Sequence, residues 1–266
     1  MPDRYAVIGH PVAHSKSPWI HAQFARATGE AIEYGAIDAP ADGFVREVEK
    51  FRAAGGKGLN VTLPFKGEAF RYCAGTTERA AAAQAVNTLL LDRAQPFGDN
   101  TDGVGLLRDL TVNLGRSLAG AQVLLLGAGG AAQGVLAPLA QAGVASIVIA
   151  NRTPARARAL AVRVPGVAAC GFDTLDGRAF DLVVNATAAG LDGELPRLPQ
   201  GLFRPGALAY DMLYGRDTEF LAMARAAGAA ACDGLGMLVE QAAESFLVWR
   251  GVRPDTRTVL AALRAG

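Results

Sequence analysis

Short apolar runs closed by glycine alternate along this chain with longer stretches whose apolar residues recur at helical spacing. Tyr5–Ile8, ending at Gly9, predicts a first strand. Ser17-Pro18 then opens a helix that Gly29 closes, with Ser17 as N-cap and Pro18 at the first helical position, where no amide donor is missed. Ile32–Ile37 predicts a second strand, Ala41–Ala54 a helix, and Gly58–Leu63 a third strand beyond the break at Gly55-Gly56. A helix near Thr77–Ala83 and a hairpin-like segment from Ala85 to Phe97 lead to the polar cluster Gly98–Gly103.

The second half repeats the rhythm more sharply. After a helix over Val104–Leu114, Gln122–Leu126 reads as a strand, Gly127–Gly130 as a tight turn, Ala131–Ala142 as a helix and Ser146–Ala150 as a strand, which is a βαβ unit. Strands at Asp181–Asn185 and Ala207–Tyr210 follow, with helices near Pro154–Val164 and Glu219–Ala227. Beyond Gly234-Leu235-Gly236 come a helix over Met237–Trp249 and a last one from Asp255. The pattern predicts an α/β protein of two domains, 1–102 and 103–236, with helices over 237–266.

Composition narrows the function. Glycine is frequent (32 residues) and aromatic residues are few (7%), as suits α/β layers with close backbone approaches. Lysine plus arginine (26) nearly balance aspartate plus glutamate (25), so no net field recruits nucleic acid or an anionic membrane, and small molecules are the expected partners. Cys73, Cys170 and Cys232 have no paired spacing, the N-terminus lacks a secretory pattern, and glycines and Pro138 interrupt the richest apolar stretch. A cytoplasmic protein is expected. Sequence sets no oligomeric state; a homodimer is retained as an option.

Gly127, Gly129 and Ala132 match G-x-G-x-x-G/A between a strand and a helix. The first glycine permits the turn, the second lets backbone approach a pyrophosphate, and the small third residue lets the helix pack on the sheet. After the next strand, Asn151-Arg152-Thr153-Pro154-Ala155-Arg156 contains no acid for ribose hydroxyls. Arg152 and Arg156 instead suit a 2′-phosphate, with Thr153 adding a hydroxyl or an N-cap. The cofactor expected is NADP(H). Arginine at a helix N-terminus opposes the helix dipole and so needs a reason.

Carbonyl reduction also needs a proton donor beside the hydride donor. Lys66 stands just past the strand Asn60-Val61-Thr62 and the ladder-stopping Pro64, and Asp102 is a plausible partner for it. His10 and His14 have the spacing of helical metal sites, but Gly9 and Pro11 oppose a helix there and no carboxylate or cysteine pattern is adjacent, so no metal is expected.

These motifs occur in one order: His14-Ser15-Lys16-Ser17-Pro18, Asn60-Val61-Thr62 with Pro64-Phe65-Lys66, Ala85-Val86-Asn87-Thr88, Gly98-Asp99-Asn100-Thr101-Asp102-Gly103, Gly127–Ala131, Asn151-Arg152-Thr153, Asn185-Ala186-Thr187 and Asp233-Gly234-Leu235-Gly236-Met237. In that order the chain resembles the shikimate dehydrogenases along nearly its whole length. The resemblance implies reversible NADPH-dependent reduction of 3-dehydroshikimate to shikimate, a step of aromatic amino-acid biosynthesis. It implies an N-terminal substrate domain, a Rossmann-like NADP-binding domain, and C-terminal helices that return to the first. It further implies Lys66 as general acid/base with Asp102 beside it, and substrate contacts from Ser15, Ser17, Thr62, Asn87, Asp102, Tyr214 and Gln241. Cofactor contacts would come from Gly127, Ala128, Gly129, Gly130, Ala131, Asn151, Arg152, Thr153, Arg156, Met212 and Gly234, with Glu78 a weaker candidate. Two departures from the family pattern stand out: Ala188-Ala189-Gly190 follows Asn185-Ala186-Thr187 where a serine is frequent, and the loop after Tyr214 is slightly short. The rival readings are an NAD-using quinate/shikimate dehydrogenase, which Arg152 and Arg156 oppose, and a non-catalytic ligand sensor, which has no need of Lys66 and Asp102.

Overall fold

The computed structural model describes residues 1–187 and 198–265. It divides into two compact units, Met1–Gly105 with Leu238–Gly266, and Leu106–Met237.

The sheet of the first unit comprises β1 (Asp3–Gly9), β2 (Ile32–Asp38), β3 (Gly56–Val61), β4 (Gly75–Thr76), β5 (Thr88–Leu90) and β6 (Phe97–Asp99), in the order β2-β1-β3-β5-β6-β4. β1 runs parallel to β2 and β3, whereas β5 is antiparallel to both β3 and β6, which realises the hairpin expected over Ala85–Phe97. Helices α1 (Ser17–Thr28), α2 (Phe44–Ala53), α3 (Lys66–Tyr72), α4 (Glu78–Ala83) and α5 (Asp102–Arg108) alternate with these strands. Because strand side chains alternate between faces, Leu59 and Val61 enter a core with Phe44, Val48, Phe51 and Phe65, while Asn60 between them faces the other way.

In the second unit β7 (Gln122–Leu126), β8 (Ser146–Ala150), β9 (Val167–Cys170), β10 (Phe180–Asn185), β11 (Phe203–Asp211) and β12 (Ala230–Cys232) form a wholly parallel sheet, ordered β12-β11-β10-β7-β8-β9. Counted from β7, this is the 3-2-1-4-5-6 order of the Rossmann fold, whose ligand crevice opens beyond the strand ends where the order reverses, here between β7 and β10. β7 is apolar from Val123 onward because both faces are covered: Val123 and Leu125 join one core cluster, Leu124 and Leu126 another. Helices α6 (Gly130–Gln141), α7 (Pro154–Ala161) and α8 (Glu219–Ala226) connect the strands.

The chain returns to the first unit in α9 (Leu235–Arg250), followed by α10 (Arg257–Ala265). Val239, Ala242, Ala243 and Phe246 of α9 and Val259 of α10 bury against Ile20 and Phe24 of α1.

Several expectations need correction. Ser17 is the first residue of α1 rather than its cap: Lys16 holds the cap position, and the Ser17 amide donates to Ser15 Oγ at 3.3 Å. The helix expected over Val104–Leu114 begins at Asp102 and widens into a π-turn, Asp109–Asn113, as the buried Asp109 carboxylate accepts from Tyr210 Oη (2.6 Å) and Asn113 Nδ2 (3.0 Å). The second helix starts at Phe44, because Gly43 turns back to the Pro40 carbonyl. β4, β9, β12 and α3 carry no readable signal: two are three residues or fewer, β9 lacks apolar alternation, and α3 is a single polar-rich pair of turns.

Candidate active site

The first-unit candidates gather at one edge of its sheet. Lys66 opens α3 after β3, Asp102 opens α5 after β6, Asn87 precedes the antiparallel β5, and Ser15 and Ser17 follow β1. Lys66 Nζ lies 2.6 Å from Asp102 Oδ2, with the lysine side chain 15% and the aspartate 5% exposed. Asn87 Nδ2 donates to the other carboxylate oxygen, Oδ1, at 2.9 Å and to Thr101 Oγ1 at 2.9 Å. Gln241, brought by α9, places Oε1 3.3 Å from Asn87 Nδ2 while its own Nε2 donates to the Leu238 carbonyl at 2.9 Å.

Behind this row lies a second buried layer. Tyr34 Oη donates to Asn60 Oδ1 (2.7 Å), and Asn60 Nδ2 donates to Ser245 Oγ (2.9 Å) and to the Asn87 carbonyl (3.2 Å). Burial raises the Tyr34 phenol well above its usual pKa. Ser17 is buried at the start of α1, and the half-buried Thr62 lies immediately past the end of β3. Glu78 is exposed at the start of α4 and takes no part in the network.

Beside Tyr34, His21 is fully buried, its ring stacked on the phenol ring at 4.1 Å, with neither ring nitrogen hydrogen-bonded. Burial drives its pKa down to about 3. His10, the other end of the histidine cluster, finds a carboxylate across the sheet, with Nδ1 2.7 Å from Asp38 Oδ1.

Sequence reasoning misses an ionic lattice alongside. Arg79 grips Asp99 with two bonds (2.7 and 2.6 Å) and Glu244 with one (2.8 Å). Arg253 joins Glu244 (2.6 Å) to Glu240 (2.8 Å), which also accepts from Thr256 (2.6 Å). These bonds anchor α9, and with it Gln241, to α4 and β6. The only sequence trace of the lattice is acidic residues four apart on a helix otherwise turned inward, at Glu240 and Glu244.

The second unit presents a dinucleotide cradle at its switch point. Gly127 follows β7 with φ +101°, and a Cβ there would stand 3.0 Å from the Ala186 carbonyl beyond β10, so only glycine fits. Gly129 caps α6 with open space beside it and no side chain occupying the helix-start amides, leaving them for an anion. Ala128 continues the turn, Gly130 and Ala131 open α6, and Ala132 is buried against the sheet. After β8, Arg152 and Arg156 are both exposed, and neither is paired with a carboxylate among the described residues. Thr153 takes the N-cap position of α7 without bonding through its hydroxyl, and Asn151 Nδ2 holds the Thr153 carbonyl at 3.0 Å. Two uncommitted guanidinium groups and a free hydroxyl at a helix start fit a ribose phosphate.

Across the crevice, Asn185 Nδ2 donates to Asp211 Oδ2 (3.2 Å), which also accepts from Thr218 Oγ1 (2.6 Å), so the ends of β10 and β11 are tied together. Met212 follows β11 and donates its amide to the Asn185 carbonyl at 3.0 Å. Gly234 packs so closely on the Met212 carbonyl that a Cβ would collide with it, and Tyr214 is half-buried in the same loop. Ala188-Ala189-Gly190, where the family pattern departs, lies outside the described residues.

A Rossmann unit with a phosphate-ready turn, joined in one chain to a unit bearing a lysine–aspartate pair among hydroxyls and amides, defines the class: a two-unit α/β protein of dehydrogenase type. Family models agree in chain order, with a shikimate dehydrogenase substrate-binding domain matching residues 7–89, shikimate/quinate 5-dehydrogenase matching 109–192, and a shikimate 5′-dehydrogenase C-terminal domain matching 234–264. A shikimate dehydrogenase (NADP(+)) from Aromatoleum aromaticum is 60% identical over 98% of this chain and 97% of its own. Among solved structures, an Ael1 enzyme from Pseudomonas putida superposes with a TM-score of 0.91 at 49% identity, covering 98% of each chain. Shikimate 5-dehydrogenase from Thermus thermophilus, solved in complex with NADP(H) and shikimate, gives 0.89 at 38% identity over 99% of each. The chain belongs to the shikimate dehydrogenase family.

Proposed function

We propose that this protein interconverts shikimate and 3-dehydroshikimate with NADP(H), in the cytoplasm, and that Lys66 is its general acid/base. The observation that carries the reading is the 2.6 Å contact between Lys66 and a nearly buried Asp102 at the sheet edge that also presents Asn87 and Gln241. When bound, the cofactor gives or takes the hydride at the reacting carbon. In the reducing direction the Lys66 ammonium gives a proton to the carbonyl oxygen as it becomes a hydroxyl; in the oxidising direction the lysine takes that proton back. Asp102 fixes the ammonium and accepts from Asn87, so its carboxylate stays oriented through both directions.

A polyhydroxylated ring with a carboxylate needs short donors and acceptors, which Ser15, Ser17, Thr62, Asn87, Tyr214 and Gln241 supply as hydroxyls and amides without adding charge. Gly127–Ala131 would hold the pyrophosphate, Asn151, Arg152, Thr153 and Arg156 the ribose phosphate, and Met212 and Gly234 would shape the nicotinamide end; Glu78 is the remaining cofactor-side residue. The uncommitted arginines favour NADP over NAD.

The test is an initial-rate assay offering shikimate and quinate side by side, each with NADP and NAD. Rapid NADP reduction with shikimate is expected. A preference for quinate or for NAD would overturn the substrate or the cofactor assignment separately, and no turnover with any pair would favour a ligand sensor. Lys66→Ala should cut turnover by about 10²-fold or more while shikimate binding changes far less, since it removes the proton donor and not the ring contacts.

A further inference from the structure

Thr88 and Ser245 are both fully buried, and neither belongs to the set that would touch substrate or cofactor. Their hydroxyls nevertheless occupy the centre of the network behind Asn87, 2.8 Å from each other. The Thr101 amide donates to Asn87 Oδ1 at 2.8 Å, so that atom is the carboxamide oxygen and Nδ2 must face Asp102. Thr88 Oγ1, 2.9 Å from the same Oδ1, must give its one proton to it. Asn60 Nδ2, held by the Asn87 carbonyl, donates to Ser245 Oγ. With the Thr88 proton on Asn87, the 2.8 Å contact between Thr88 and Ser245 is filled by the Ser245 proton, for which the Gln241 carbonyl at 3.0 Å and Thr101 Oγ1 at 3.2 Å compete. Thr101 Oγ1, which accepts from Asn87 Nδ2, has both Ser245 Oγ and Asn87 Oδ1 at 3.2 Å as partners for its own proton. In this arrangement the bonds run from Asn60 through Ser245 and Thr88 to the oxygen of Asn87, and its consequence is that one amide hydrogen of Asn87 points at Asp102 and the other at Thr101 Oγ1.

We infer that Thr88 and Ser245 are positioning residues for this reaction, a hydroxyl relay that locks the Asn87 carboxamide in the one orientation that holds the Asp102 carboxylate for Lys66. The inference rests on the assignment of Lys66 and Asp102 as the acid/base pair. Without the Thr88 hydroxyl, Asn87 Oδ1 keeps the Thr101 amide at 2.8 Å and the more distant Thr101 hydroxyl at 3.2 Å, both from one residue, and the hold on Asp102 loosens.

The test uses a pair of substitutions that separates hydroxyl from shape. Thr88→Val keeps the volume and removes the hydroxyl; Thr88→Ser keeps the hydroxyl and removes the methyl. In the full-length enzyme with shikimate and NADP, Thr88→Val should lower kcat about tenfold or more, with the KM for NADP within about twofold of native, and Thr88→Ser should stay within about threefold of native kcat. Ser245→Ala should lower kcat by roughly three- to tenfold and add little to Thr88→Val in the double variant, because the two act in series. Native turnover in Thr88→Val, or an equal loss in Thr88→Ser, would overturn the inference by assigning the effect to nothing or to packing. Should Thr88→Val fail to fold, native turnover in Ser245→Ala would overturn it alone. Failure of the native chain to oxidise shikimate would instead strike the proposed reaction, and shows before any variant is made.

Discussion

Asp102 accepts from two donors at once, Lys66 Nζ on Oδ2 and Asn87 Nδ2 on Oδ1. That makes it the position where a conservative change does the most damage. In Asp102→Asn the new amide must turn its NH2 toward one of two groups that can only donate there, leaving a buried donor facing a donor, a loss of about 1–3 kcal/mol. Steady-state rates should fall about 10²-fold, and melting should show the destabilisation as well; a variant that melts and turns over like native would contradict this geometry. Gly127 makes a second prediction. At φ +101° beside the Ala186 carbonyl, Gly127→Ala carries about 1–3 kcal/mol of backbone strain and pushes apart the two loops of the crevice, so the KM for NADP should rise while that for shikimate holds. Lys66 and Asp102 are legible in the sequence because each directly follows a strand, where polar side chains collect at a sheet edge. Thr88 and Ser245 are not, since they meet across 157 positions and look like ordinary small polar residues until the fold joins them. Ser17 reads as a cap because serine before proline is a helix-opening pattern, whereas the helix takes in Ser17 itself and Lys16 precedes it.

Among the elements, β7, α6 and β8 announce themselves because a doubly covered strand must be apolar along its length and a phosphate turn must be glycine. The start of α7 carries the prediction at this scale. Arg152 and Arg156 stand exposed at the N-terminus of an eight-residue helix, where the dipole repels them, and nothing else in the described residues neutralises them. Replacing both with alanine should raise the KM for NADP on the order of 10²-fold, the scale of losing two charge-assisted hydrogen bonds, and leave the KM for NAD nearly unchanged. An equal rise for the two cofactors would detach these arginines from the 2′-phosphate. The edge strands are the illegible part. β9 reads VAAC and β12 AAC, partly exposed and without alternation, and pairing with β8 and β11 makes them strands where propensity does not. The π-turn after α5 is a similar case, set by the pull of Tyr210 on Asp109 from 101 positions away.

For the molecule as a whole, His21 sets a limit on acid stability. It is buried and neutral, with a pKa near 3 against 6.5 when free, so the unfolded chain binds a proton that the folded chain refuses. Stability is therefore complete above about pH 6.5 and declines as pH falls toward 3, by about 2–3 kcal/mol at pH 4.5 from this residue alone. His21→Phe retains the stack on Tyr34 and removes both unbonded nitrogens, so urea titrations should show a flatter acid limb and a raised midpoint; an acid limb identical to native would assign the loss to other groups. The first unit is also discontinuous: its sheet comes from residues before Gly105 and its closing helices from residues after Leu238. During synthesis the amides and hydroxyls of Asn60 and Thr88 leave the ribosome long before Ser245, and the backbone carbonyl of Leu89 long before the Trp249 indole that donates to it at 3.0 Å. The second unit, continuous in sequence, can finish while the first still exposes an unclosed face. A ribosome paused between the two events holds a chain whose parallel sheet is complete and whose Lys66–Asp102 pair is waiting for α9, which makes the arrival of that helix a late checkpoint of folding.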